Sequence, residues 1–232
     1  MTQAESARHF YDRISGVYDA LSDASEQSAR QLGLRLLEPA GDQQVLEIGF
    51  GTGHAVVEIA QRLAGGGRVF GIDVSPGMLA IAEKRVAAAG LRDRVVELQL
   101  GDAKQLPYDD GSFDAVFSSF TLELFSESEI PRLLAEIARL LRPAGRLVVV
   151  SMHDDGRKRV MVDLYRFLHR HFPHIVDCQP IDAQACLERA GFEIVANEGI
   201  SIWGLPVMAL LGRIRGSGGI RRDNESTRTT SF

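Results

Sequence analysis

The stretch VLEIGFGTGHAVV, residues 45 to 57, limits the fold more than any other. A short apolar run meets glycines at 49, 51 and 53, and a helix-forming segment follows at once. The same alternation continues from residue 44 to residue 150. VLEIG (45–49), RVFGID (68–73), RVVELQL (94–100), FDAVFSS (113–119) and RLVVVS (146–151) read as strands. Helices are expected over 54–64, from Pro76 to Gly90 and from Ser126 to about Leu141, where PAG (143–145) breaks the pattern. Ser75 is the expected N-cap with Pro76 at the first helical position. Gly90 is a stop, and Ser126 with Glu129 has capping-box spacing. Apolar strands alternating with helices predict an α/β fold, a parallel sheet with helices on both faces.

The flanks read differently. Residues 1–40 suggest an N-terminal helical cap of two amphipathic helices, one across ESARHFYDRISGVYDAL and one ending near Pro39. The main domain spans 41–212, with a lid insertion at 152–180 that contains a helix over 157–173. Asp182 is expected to cap a short helix ending at Gly191. FEIVANEGIS and VMALLG read as two last strands, joined by the apolar WGLP link. Residues 213–232, rich in Gly, Ser, Thr and Arg, read as a disordered tail. Net charge is −5; five tail arginines against Asp223 and Glu225 put +3 on the tail, so the body carries −8. A nucleic-acid backbone needs a basic patch instead. Two cysteines, Cys178 and Cys186, make no disulfide framework, and a polar N-terminus shows no signal core. The expectation is a cytoplasmic protein without a transmembrane segment; peripheral membrane contact and the choice of monomer or homodimer stay open.

What the glycine loop holds follows from its neighbours. A dinucleotide fingerprint would place glycine at 49, 51 and 54, and position 54 is histidine. Glycines also end strands for structural reasons, so the spacing alone decides little. Glu47 lies two residues before the loop on a strand expected to be buried. A carboxylate there is costly without a partner. It repels phosphates and favours a ligand with an ammonium or sulfonium. Loop amides satisfying Glu47 are an equal and compatible reading. Asp73 ends the second strand 24 positions after Gly49, where an acid accepts hydrogen bonds from a ribose diol; the alternative is a helix N-terminal acid. Asp102 follows the third strand and suits the amino group of adenine. No P-loop lysine is present. Ribose, adenine and positive charge without phosphate describe S-adenosylmethionine.

With VLEIGFGTG, VFGIDVSPGML, LGDAKQLPY, FDAVFSSFTLELF and LLRPAGRLVVV in this order, the sequence resembles the class I S-adenosylmethionine-dependent methyltransferases. It looks most like the branch with quinone-biosynthesis C-methyltransferases and phospholipid N-methyltransferases. The resemblance implies a Rossmann-like, seven-stranded, mostly parallel sheet with the last strand antiparallel. It implies that Gly49, Gly51 and Gly53, with Phe50 and Thr52 between them, meet the methionyl part. Val74 and Met78 would pack on adenine, Asp102 and Ala103 would meet its amino group and ring nitrogen, and Ser118 would offer its carbonyl to the ammonium. Phe50 stands where many relatives carry a small residue or cysteine.

Methyl transfer is an in-line displacement at an activated carbon, so alignment and exclusion of water dominate. Catalytic candidates are correspondingly harder to see. Tyr11 and Tyr18, seven apart on one helix, either cover the cofactor or pack as ordinary helix residues. Glu123 steadies a cationic acceptor or, the preferred reading, faces solvent. His153, after the fifth strand, is the best single base candidate. His169, His171, His174 and Cys178 are read as belonging to a lid helix, not a metal site. The expected activity is methyl transfer to a small apolar or aromatic acceptor, quinone-like or lipid-like. The alternative is a catalytically silent S-adenosylmethionine-binding regulator.

Overall fold

The computed structural model describes residues 26–91, 95–153, 181–202 and 205–216. Helix α1 (26–37) precedes β1 (Gln44–Ile48), α2 (His54–Arg62), β2 (Arg68–Asp73), α3 (Pro76–Ala88), β3 (Val96–Leu100) and β4 (Phe113–Ser119). A 3-10 turn (Leu122–Leu124), α4 (Ile130–Leu140), β5 (Leu141–Met152), α5 (Ala183–Arg189), β6 (Phe192–Ile202) and β7 (Leu205–Ile214) follow. One sheet joins all seven strands in the order β3-β2-β1-β4-β5-β7-β6. Every pair among the first five is parallel, and β7 runs antiparallel to both β5 and β6. The Rossmann-like arrangement expected from the resemblance is therefore the one observed.

The central strands are apolar almost without interruption because both faces are covered. Val45, Val69, Ala115, Phe117, Val148 and Val150 face one core, which also takes Leu34 and Leu37 of α1 and Val56 and Ile59 of α2. Leu46, Ile48, Ile72, Val116, Leu147 and Val149 face the other, built against Leu133, Leu134 and Ile137 of α4 and Leu187 of α5. Each fully buried side chain of this size stabilises the fold by about 1.5–3 kcal/mol.

Local signals place several ends. The Ser75 hydroxyl accepts from the Met78 amide at 3.3 Å, with Pro76 opening α3, and Gly90 ends that segment at φ +70. Asp182 Oδ1 accepts from the Ala185 amide at 2.9 Å. Three boundaries differ from expectation. β5 begins at Leu141, five residues before RLVVVS, because Leu141 pairs with Phe113 across a register shift that absorbs Pro143 and Ala144. The β7 ladder reaches Ile214, so Arg213 and Ile214 are sheet residues and not tail. α4 begins at Ile130: Glu129 Oε2 accepts from the Ser126 amide at 3.1 Å, but the Ser126 hydroxyl donates back to the same oxygen at 2.8 Å. Only half of the expected capping box forms. Residues 1–25, the expected helix 157–173 and the Trp203–Gly204 link lie outside the described residues. No helix among the described residues is long and apolar enough to cross a membrane.

Arg146 docks α1 onto the sheet. From β5 its Nε donates to the Leu37 carbonyl at 2.6 Å and its Nη2 to the Glu38 carbonyl at 3.1 Å and to Gln43 Oε1 at 3.0 Å. Those carbonyls end a helix and have no intrahelical donor. Arg146→Met keeps the apolar stem and removes the fork. It is expected to lower unfolding free energy by about 1–3 kcal/mol, read from urea denaturation; an unchanged midpoint would show that the fork adds nothing to docking.

Candidate active site

Three glycines form the turn after β1, and each is needed for its own reason. Gly49, Gly51 and Gly53 have φ of +72, +51 and +81, a region that glycine enters freely. A Cβ on Gly49 would lie 2.5 Å from Thr121 Cγ2, so the loop passes directly under the chain leaving β4. A Cβ on Gly53 would lie 2.8 Å from Ala82 Cβ, so α3 seals the opposite side. A Cβ on Gly51 would meet nothing within 4 Å. The open side of the loop is therefore at Gly51, between two closed ends.

Asp73 ties this loop to its neighbours. Its Oδ2 accepts from the Gly51 amide at 2.9 Å and its Oδ1 from the Ser75 amide at 2.8 Å. Its backbone carbonyl accepts from the Gly101 amide at 3.0 Å. The tips of β1, β2 and β3 and the start of α3 thus converge on one residue. The two readings of Asp73, ligand acceptor and helix N-terminal acid, are not exclusive: each oxygen keeps a second lone pair.

Glu47 lies in β1 opposite Gly71 and Phe117, 3% exposed. Its Oε2 is buried without a partner. Burial pushes its carboxyl well above the usual range; Arg30 opposes that shift, while Asp73 and Glu58 add to it. Burial favours the protonated form, and a positive ligand near this oxygen and Asp73 would favour the charged one.

Asp102 follows β3. Its Oδ1 accepts from the Lys104 amide at 2.9 Å, and Lys104 Nζ stands 3.6 Å from Oδ2 while donating to Glu129 Oε1 at 2.6 Å. Sequence reasoning passed over Lys104, because Glu129 is 25 positions away and nothing local links the two. Ala103 is buried beside Asp102. Val74, 78% exposed, and Met78, 39% exposed, form an apolar wall after Asp73. Thr52 is half-buried, and Ser118 is buried in β4 opposite Ile48.

The Phe50 ring is buried in the core under Gly71, where a Cβ would come within 2.9 Å of it. Its size serves packing beneath the turn. One expectation needs correction. Glu123 does not face solvent. It is 5% exposed, and its Oε1 accepts from the Met152 amide at 2.8 Å. Phe120, at φ +52, turns the chain out of β4 just after its amide meets the Val150 carbonyl. Met152 N–H would meet the next part of β4 had the strand continued, and Glu123 takes that place. Its Oε2 has no partner, and burial raises its carboxyl to about 7.

His153 is half-buried at the end of β5, its amide donating to the Pro206 carbonyl at 2.9 Å. Tyr11, Tyr18, His169, His171, His174 and Cys178 lie outside the described residues. The structure thus brings Glu47, Asp73, Asp102 and the three glycines to adjacent strand tips, where open α/β sheets bind ligands.

Comparison with known proteins agrees with this geometry. A methyltransferase-domain family profile matches residues 45–145. The demethylmenaquinone methyltransferase of Thermotoga maritima is 34% identical over 165 residues, 69% of this chain and 68% of that protein. The demethylmenaquinone methyltransferase of Symbiobacterium thermophilum is 35% identical over 149 residues, 62% of this chain and 58% of that protein. The chain thus spans less than two thirds of the latter's length. The geranyl diphosphate C-methyltransferase of Streptomyces coelicolor, solved with Mg2+, geranyl diphosphate and S-adenosyl-L-homocysteine, superposes with a TM-score of 0.66. At 15% identity, over 81% of this chain and 78% of that one, the likeness is one of fold.

The raised carboxyl of Glu123 makes stability depend on pH. The folded form prefers the proton, so its full contribution is present below about 4.5 and is lost as pH rises through about 7. Glu123→Gln removes the titration while keeping an acceptor for the Met152 amide. Between pH 4.5 and 8 the variant is expected to gain on the wild type by about 3 kcal/mol. Urea midpoints of both proteins across that range check this, and a constant gap would contradict it.

Proposed function

We propose that this chain, which belongs to the class I S-adenosylmethionine-dependent methyltransferases, moves a methyl group from S-adenosylmethionine to a small apolar or aromatic acceptor. The observation that carries the reading is the unpartnered, buried Oε2 of Glu47 beside Asp73 and the open side of Gly51. Burial favours the protonated form of Glu47, which a nearby cation would shift toward the charged one, against backbone with room for a close approach. This setting fits an adenosyl sulfonium compound and disfavours a pyrophosphate.

S-adenosylmethionine supplies a methyl group on a sulfonium, already activated for displacement. The chain's own part is placement. Asp73 accepts from the ribose hydroxyls on its free lone pairs. Asp102 and Ala103 meet the adenine edge, and Val74 and Met78 cover its face. Gly49, Gly51 and Gly53, with Thr52, bring main chain against the methionyl part, and the Ser118 carbonyl accepts from its ammonium. His153 takes a proton from an acceptor that must lose one. A quinone-like acceptor is favoured because relatives spread over several bacteria are named demethylmenaquinone methyltransferases. The silent regulator is the less favoured reading, since these relatives are named as enzymes.

Transfer of labelled methyl from S-adenosylmethionine to a panel of reduced quinones, phenols, amines and lipids tests the activity. Label in the quinol or phenol arms supports the reading; no label in any arm, with cofactor bound, would favour the regulator. Asp73→Ala is expected to weaken S-adenosylhomocysteine binding by about 10- to 150-fold, measured by calorimetry. Unchanged affinity would refute the ribose role. Gly51→Val places a side chain on the open side of the loop and adds about 1–2 kcal/mol of left-handed backbone strain. It should abolish binding, and a variant that binds like the wild type would reduce the loop to a plain turn.

A further inference from the structure

The glycine loop is held from a second side. Arg85, half-buried on α3, donates from Nε to the Thr52 carbonyl at 2.8 Å. Its Nη1 lies 3.2 Å from His54 Nδ1. Thr52 and His54 flank Gly53, and Gly53 itself packs on Ala82, three residues before Arg85 on the same helix. One guanidinium therefore straddles the last glycine of the turn. Its hydrogen-bond partners among the described residues are a carbonyl and an imidazole, not a carboxylate.

Such a grip matters because of what the loop is made of. Glycines at 51 and 53 leave the intervening peptides free to rotate, and ordering them costs more backbone entropy than for any other residue. The Gly53 amide is fixed by the Phe50 carbonyl at 2.9 Å. A trans peptide then sends the Thr52 carbonyl the opposite way, where Arg85 receives it. Asp73 fixes the Gly51 amide on the other side. If Asp73 also meets a ligand, it is not a free-standing anchor, and a second one is needed.

We propose that Arg85 is a positioning residue for the cofactor. It locks the Thr52–Gly53 peptide so that the loop presents its open side at Gly51 before any ligand arrives. This rests on the cofactor site proposed above. Such preorganisation shows in binding and not in the chemical step.

The test compares wild type, Arg85→Met and Arg85→Lys. Without ligand, hydrogen exchange of the 50–54 amides should quicken at least tenfold in Arg85→Met, with α4 and β5 amides unchanged. With ligand, Arg85→Met should raise the KM for S-adenosylmethionine and the Kd for S-adenosylhomocysteine about tenfold, the loss of one charge-assisted hydrogen bond. The kcat at saturating cofactor should stay within about twofold. Arg85→Lys, which reaches the carbonyl but not both partners, should recover part of the affinity. Wild-type exchange and wild-type Kd in Arg85→Met would overturn the proposal, as would a general loss of protection across the sheet. A wild type that ignores S-adenosylhomocysteine would overturn the cofactor reading, while quickened loop exchange in Arg85→Met would still uphold the peptide lock.

Discussion

The hydrogen bond from the Gly51 amide to the Asp73 carboxylate extends past the last paired residues of β1 and β2 the contact that the sheet begins. β1, β2 and β3 are adjacent because their backbone ladders pair and their apolar side chains share two covered faces. Pairing sets the strands side by side but leaves the turns at their tips undetermined. Asp73 settles three of them together, through Gly51, Ser75 and Gly101. The result is a rim of backbone amides and carboxylates whose geometry comes from the sheet and not from a ligand. Thr121 pressing on Gly49 and Ala82 pressing on Gly53 close the ends of the same turn by contact alone.

Two buried carboxylates frame this rim, and both stand above the ordinary range for the same cause, desolvation. Their settings differ. Glu47 has acids near it and an opposing charge in Arg30, which is itself bound to Glu58 on α2 at 2.8 Å. Desolvation outweighs these charges and favours its protonated form. Glu123 has one oxygen committed to the main chain of β5. One acid lies beside the proposed cofactor loop and the other closes a gap in the sheet.

Much of this was legible in the residues. β2 and β4 fall on RVFGID and FDAVFSS because a parallel strand buried on both faces shows as one apolar run. Ser75, Pro76 and Gly90 bound α3 by local chemistry that needs no partner. The glycines with Glu47, Asp73 and Asp102 named the cofactor class, since these acids fall at or near the ends of three successive strands. What escaped depends on distant pairing. Pro143 and Ala144 look like a breaker, yet Leu141 finds Phe113 across the sheet and the strand starts earlier. Phe50 sits in a glycine turn, and nothing local says that its ring dives beneath Gly71. Glu123 reads as a surface charge until the Met152 amide is seen to need an acceptor. Arg85 was invisible for the same reason: its partner Thr52 is 33 positions away.

Because a side chain, not more strand, completes the hydrogen-bond ladder beside Met152, the segment between Phe120 and Glu129 is released from sheet duty. Thr121 and Leu122 remain buried, so the freedom falls on the exposed residues 126–128. A change of length at those three positions would leave the seven-stranded sheet and the glycine turn after β1 as they are.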